Sequence, residues 1–138
     1  MDSGKKKVIL LEHSKSHQDI LYAQILFLSN SGYKPVLWIN EELAIDNEIA
    51  ESNADINRYK FDNSKHRKNF VQRLKLFADQ CSVNNIILNT AQGIQARNIV
   101  FSFLRKKINF IGILHEAERL SKSFTQKTIS YKIKNILY

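Results

Sequence analysis

The sequence predicts an α/β protein built on a doubly wound parallel sheet, and three observations predict it. Short apolar runs alternate with amphipathic segments from end to end, which is the pattern of strands joined by crossover helices. The first two runs, Lys7 to Leu11 and Pro35 to Ile39, are apolar at nearly every position, as strands covered on both faces are. The third, Ile56 to Phe61, alternates apolar and polar residues instead, which marks a half-exposed edge strand. Right-handed crossovers through successive helices then favour a Rossmann-like layout, five strands in the order 3-2-1-4-5 inside a three-layer α/β/α arrangement.

Each element has its own local warrant. Between the first two strands, His17 to Ser31 places Ile20, Leu21, Ile25 and Leu28 at helical spacings. Ser16 with Asp19 resembles a capping pair at the start of this helix, and Gly32 is a good residue to end it. Glu41 to Asp55 is acidic and polar, with room for a short helix at Glu42 to Glu51. Phe70, Leu74, Phe77 and Cys81 lie four, three and four residues apart, the inner stripe of a helix from Lys65 to Ser82 whose remaining surface is basic. Asn85 to Asn89 is the fourth strand. Thr90 and Gly93 open the next helix, whose stripe is Ile99, Val100, Phe103 and Leu104. Phe110 to Leu114 is the fifth strand, and a last amphipathic segment carries Ile129, Ile133, Ile136 and Leu137.

The 138 residues suit one domain, and an apolar share of 43% is enough for one ordinary core. The N-terminal apolar run is too short for a signal sequence or a membrane span, so a cytoplasmic protein is expected. Cys81 is the only cysteine, which rules out an internal disulfide and a cysteine-based zinc site and suits a small filler on a helix. The net charge of +8 is unevenly placed: residues 1–64 hold 7 Lys+Arg against 10 Asp+Glu, and residues 65–138 hold 14 against 3. A basic second half suggests an anionic partner, whether a lipid headgroup, a phosphorylated acceptor or a nucleic acid, although charge runs are also what solvated helix faces look like.

In an open sheet of this kind ligands collect beyond the carboxyl ends of the strands, near the point where strand order reverses. The residues there are Glu12, His13, Ser14, Asn89, Thr90, His115 and Glu116. Each also has a plain structural use, as loop residue, turn former or helix cap, since fold alone does not assign function. Several chemistries are excluded. No glycine follows the first strand, so the dinucleotide fingerprint and the phosphate-binding P-loop are both missing and no NAD or ATP cofactor is expected. His13 and His17 sit four apart but lack a third metal ligand, and no Gly-x-Ser-x-Gly elbow exists.

The same positions carry a resemblance. Lys7 to Leu11, the polar Glu12, His13 and Ser14, the helix through Leu28, the Gly32 and Tyr33 pair and then Val36 and Leu37 look like the opening of the N-terminal domain of GT-B glycosyltransferases of the glycosyltransferase 4-like, or group 1, type. Ile86 to Thr90, and Ile111 through His115 and Glu116, resemble that family's fourth and fifth strands, the latter ending in histidine. The resemblance spans nearly the whole chain. It implies the acceptor-side half of a larger two-domain enzyme, inactive alone. Nucleotide sugar would be held by a C-terminal domain, often through a Glu-x7-Glu motif that does not occur after residue 118. It further implies a catalytic or positioning role for His115, substrate contacts from His13, Ser14, Asn89, Thr90 and Glu116, no metal and no cofactor. Sugar or lipid-linked acceptors fit such a domain, and the basic half agrees with work at an anionic membrane surface.

The competing reading is a phospho-receiver or other small regulatory domain without enzymatic activity. Asp62 after the third strand and Thr90 after the fourth invite it. Against it, receivers need two acidic residues after the first strand and a lysine after the fifth, where this chain has Glu12, His13, His115 and Glu116. No RNA or DNA motif accompanies the basic charge, so a nucleic-acid partner is not expected.

Overall fold

The structure is a computed structural model that describes residues 4–113 apart from 17, 19 and 92. Its elements run β1 (Lys7–Glu12), α1 (Leu21–Asn30), β2 (Lys34–Asn40), α2 (Asn47–Ala50), β3 (Asp55–Tyr59), α3 (Ser64–Gln80), β4 (Asn85–Leu88), α4 (Ile94–Ser102) and β5 (Asn109–Gly112). The five strands form one sheet in the order β3-β2-β1-β4-β5, parallel at every pairing. This is the Rossmann-like layout that the periodicity predicts.

The side-chain period of two divides β1 between two cores. Ile9 and Leu11 join Val36, Trp38, Ile86 and Leu88 beneath α3 and α4, which contribute Phe70, Leu74, Ile99 and Val100. Val8 and Leu10 join Leu37 and Ile39 on the other side, beneath Leu21, Ile25 and Leu28 of α1 and Ile49 of α2. A strand buried on both faces has no solvent side, which is why β1 and β2 read as unbroken apolar runs. β3 lies at the sheet edge, and its polar alternation corresponds to exposed Asp55 and Arg58 around a buried Tyr59.

Several local expectations shift. α1 begins at Leu21 with Ile20 at the N-cap and no side-chain capping bond, four residues later than the apolar spacing alone places it. Asp19 lies outside the described residues, and Ser14 and Ser16 take part in a loop turned back toward Glu12. α2 is one turn long, because the preceding Leu43 is drawn into the core. In α3 the fully buried stripe is Phe70, Leu74 and Ala78, while Phe77 and the C-cap Cys81 are only partly covered. Leu104 is 65% exposed rather than core, because α4 ends at Ser102 and the chain turns away after Phe103. The segment carrying Ile129, Ile133, Ile136 and Leu137 lies outside the described residues.

Two helices end in the same way with different residues. After α1, Gly32 adopts φ 87° and the Tyr33 N–H returns to the Leu28 carbonyl at 2.9 Å. After α3, Ser82 adopts φ 52° and the Val83 N–H returns to the Ala78 carbonyl at 2.9 Å. The left-handed conformation is free for glycine and costs a residue with a Cβ about 1 kcal/mol. A side chain at Gly32 would meet no atom within 4 Å, so backbone conformation alone sets the outcome there. Ser82→Gly is therefore expected to stabilise the protein by several tenths of a kcal/mol and Gly32→Ser to destabilise it by about 1 kcal/mol in urea denaturation.

Candidate functional site

Strand order reverses between β1, whose chain continues toward β2, and β4, whose chain continues toward β5. The loops after β1 and β4 therefore diverge to opposite faces and leave a crevice between them. At its floor stands Glu12, the last residue of β1, which is fully buried. A buried carboxylate is costly unless its oxygens are hydrogen-bonded, and among the described residues every donor comes from one of the two crevice loops.

The Ser14 hydroxyl donates to Glu12 Oε1, and the Ser14 backbone N–H approaches the same oxygen at 3.3 Å. The Thr90 hydroxyl lies 2.7 Å from Oε1 and 2.8 Å from Oε2. Asn89 Nδ2 donates to Oε2 at 3.0 Å. Asn89 and Thr90 are themselves buried, so this is an interior polar cluster rather than a surface one. It ties the β1 loop to the β4 loop across the point of reversal.

Three further contacts fix the backbone of the β1 loop. Tyr59 reaches from β3 to donate its hydroxyl to the Glu12 carbonyl at 3.1 Å. Asn40, buried at the end of β2, donates to the His13 carbonyl at 3.0 Å. The His13 ring sets Nε2 3.3 Å from the Thr90 carbonyl and lies 5.7 Å from the Phe61 ring. His13 and Ser14 are half-buried at the crevice wall, while Lys15 is exposed and pairs with Glu42 at 2.5 Å.

The structure thus brings together four of the residues expected from sequence, His13, Ser14, Asn89 and Thr90. His115, Glu116 and His17 lie outside the described residues. Glu12 stands among the strand-end residues in the sequence, but its position as the hub emerges only from the fold. Asn40 and Tyr59 are additions. Asn40 has a signal, a polar residue closing an apolar strand, whereas Tyr59 sits in a polar stretch that marks it only as part of an edge. Among the described residues no group of three or more His, Cys, Asp or Glu side chains is placed to hold a metal ion.

The receiver geometry is not met. That architecture places the third strand beside the first, in the order 2-1-3-4-5. Here β3 is at the edge with β2 and β1 between it and β4, so Asp62 and Thr90 follow strands that are not neighbours. Asp62 instead faces His66 one helical turn on, at 3.9 Å.

No protein-family model and no curated protein matches the chain, so function is read from the residues themselves.

Burial, and then the nearby Glu12 carboxylate, push the Tyr59 phenol well above its ordinary value. Unfolded tyrosine ionises at about pH 10, so above that pH the unfolded state binds fewer protons than the folded one and stability falls as pH rises. Below it the phenol is neutral in both states and adds no slope. Tyr59→Phe should flatten the alkaline loss of stability and lower stability at neutral pH by about 1 kcal/mol through the lost bond to the Glu12 carbonyl. Glu12→Leu should be the more damaging change, about 3 kcal/mol or more by urea denaturation, because it removes the acceptor shared by buried Asn89 and Thr90 and by half-buried Ser14. A loss below about 1 kcal/mol would mean that the loops are held by other contacts.

Proposed function

We propose that this domain binds the acceptor for a nucleotide-sugar-dependent glycosyltransferase of the GT-B type, acting in the synthesis of a cell-surface polysaccharide or glycolipid. One observation carries the reading. The crevice at the strand reversal has a buried, hydrogen-bonded floor built from Glu12, Asn89 and Thr90, and His13 and Ser14 are held at its wall. Hydroxyl and imidazole groups at such a wall suit the recognition of hydroxyl-bearing substrates, which exchange hydrogen bonds with neutral donors and acceptors. Glu12 is a positioning residue in this scheme, since its oxygens are already occupied and buried. Donor binding and transfer belong to a second domain beyond these residues.

His115, by its resemblance to the family's histidine after the fifth strand, is the residue assigned to the reacting sugar. A neutral imidazole there would hydrogen-bond a sugar or acceptor hydroxyl and hold it for attack. The 138 residues alone should show no tight binding of UDP- or GDP-sugars by calorimetry. Micromolar affinity for any of them would put the donor site in the wrong half. In the two-domain protein, His115→Ala should reduce transfer about a hundredfold with the circular dichroism spectrum unchanged. Near-normal transfer by the folded variant would remove His115 from the mechanism.

A further inference from the structure

α3 is flanked by two clefts that differ in charge. The first, of about 530 Å³ against β3, is lined by Arg58, Lys60 and Arg73 but also by Glu41. The second, of about 490 Å³, is a groove between α3 and α4 whose charged lining residues are Arg67, Lys68 and Lys75, with no carboxylate among them. A groove of this size suits a small molecule or a headgroup.

The groove's walls are two facing helical stripes. Arg67, Val71 and Lys75 recur every fourth residue along α3, opposite Gln95, Ile99 and Ser102 on α4. Helices packed side by side on a sheet ordinarily meet through apolar residues along such stripes. Here only the middle of each stripe is apolar, and the ends are cations, an amide and a hydroxyl. The two outer cations are held in place. Arg67 donates to the Phe61 carbonyl at 3.4 Å and lies over the Phe61 ring at 5.9 Å, and Lys75 lies over the Phe103 ring at 5.6 Å. Among the described residues none of the three cations is in an ion pair, whereas Lys106, Lys15 and Lys34 each are. Positive charge gathered in a groove without internal neutralisation is matched by an anion from outside.

We infer that the α3–α4 groove binds a phosphate-bearing ligand, with Arg67 and Lys75 holding its anionic groups and Val71 and Ile99 packing beneath its middle. A guanidinium and an ammonium beside the Gln95 amide match phosphate oxygens, which accept several hydrogen bonds at once, while the Ser102 hydroxyl donates to the Ile99 carbonyl at 2.6 Å. Eight residues of helix set the backbone positions of Arg67 and Lys75 about 12 Å apart, within reach of one ligand for two such long side chains. The phosphate can come from a lipid headgroup or from a free phosphorylated compound. The inference is independent of the glycosyltransferase reading, because the groove lies along the helices rather than in the crevice and its binding is measured without transfer.

The test compares two double variants of equal charge change, Arg67→Glu with Lys75→Glu in the groove and Lys60→Glu with Arg73→Glu in the cleft across α3. Probes are inorganic pyrophosphate by calorimetry and vesicles of 30% phosphatidylglycerol in phosphatidylcholine by co-sedimentation, with pure phosphatidylcholine vesicles as blank. The groove pair should weaken binding tenfold or more and the control pair threefold or less, both folded by circular dichroism. Should the groove pair fail to fold, Arg67→Gln with Lys75→Gln should show the same loss. Pyrophosphate bound in the groove identifies a free phosphorylated compound as a sufficient ligand, and vesicle binding alone identifies the headgroup. Equal weakening by both pairs would assign binding to the overall field of the protein and overturn the site, as would binding of neither probe.

Discussion

The carboxylate of Glu12 is the constraint on which the arrangement of the crevice depends. A buried carboxyl group cannot be left without partners, and among the described residues the groups that reach it belong to the loops following β1 and β4. Its solvation therefore requires those two loops to close on one point. Parallel strands place their loop ends at the same edge of the sheet, but nothing in the ladder itself fixes how two diverging loops sit relative to one another. Glu12 supplies that restraint, and Tyr59 and Asn40 extend it by holding the backbone on either side of the carboxylate from β3 and β2. Three strands, β1 to β3, and the loop after β4 thus contribute a side chain or a backbone group to the position of His13.

The cost of such a cluster explains where it lies. The middle of β1 is covered by helices on both faces and is filled with aliphatic side chains, so a polar group there would have no donors within reach. At the strand's end the ladder stops, and turning loops expose N–H groups and short polar side chains. Polar interior chemistry is therefore possible only at the rim, and on this topology the rim beside the reversal is also where loops part to admit a ligand.

This division accounts for what could be read from the chain. Strand order was legible because the unbroken runs of β1 and β2 and the alternation of Ile56 to Phe61 report how many faces of each strand are covered. The end of α1 was legible because Gly32 is the residue type that a left-handed turn asks for, while the parallel turn at Ser82 was hidden because serine gives no such sign. The start of α1 is later than spacing suggests for a physical reason: apolar spacing from Ile20 onward is compatible with an earlier start, but Ser14 and its neighbours are held by Glu12 in a loop. The strand-end residues His13, Ser14, Asn89 and Thr90 could be named from their positions alone. That Glu12 lies between them could not, since a glutamate at a strand end is ordinarily solvated and only the fold shows two loops converging on it.

The same crossover rule converts the charge asymmetry of the sequence into an asymmetry of the molecule. α1 and α2 pack on one face of the sheet and α3 and α4 on the other, because the chain winds outward from β1 in two directions. The acidic stretch around α2, with Glu42, Asp46, Glu48 and Glu51, therefore belongs to one side. Lys65, Arg67, Lys68, Arg73 and Lys75 of α3 belong to the opposite side. A solvated basic helix needs no further explanation by itself, but separation of sign across the sheet gives the protein an orienting field. On the α3 and α4 side Phe61 touches both the groove and the crevice: its ring lies under Arg67 and beside His13. Any movement of Phe61 on filling the groove would be felt at His13, so this ring is a physical link between the basic face and the crevice.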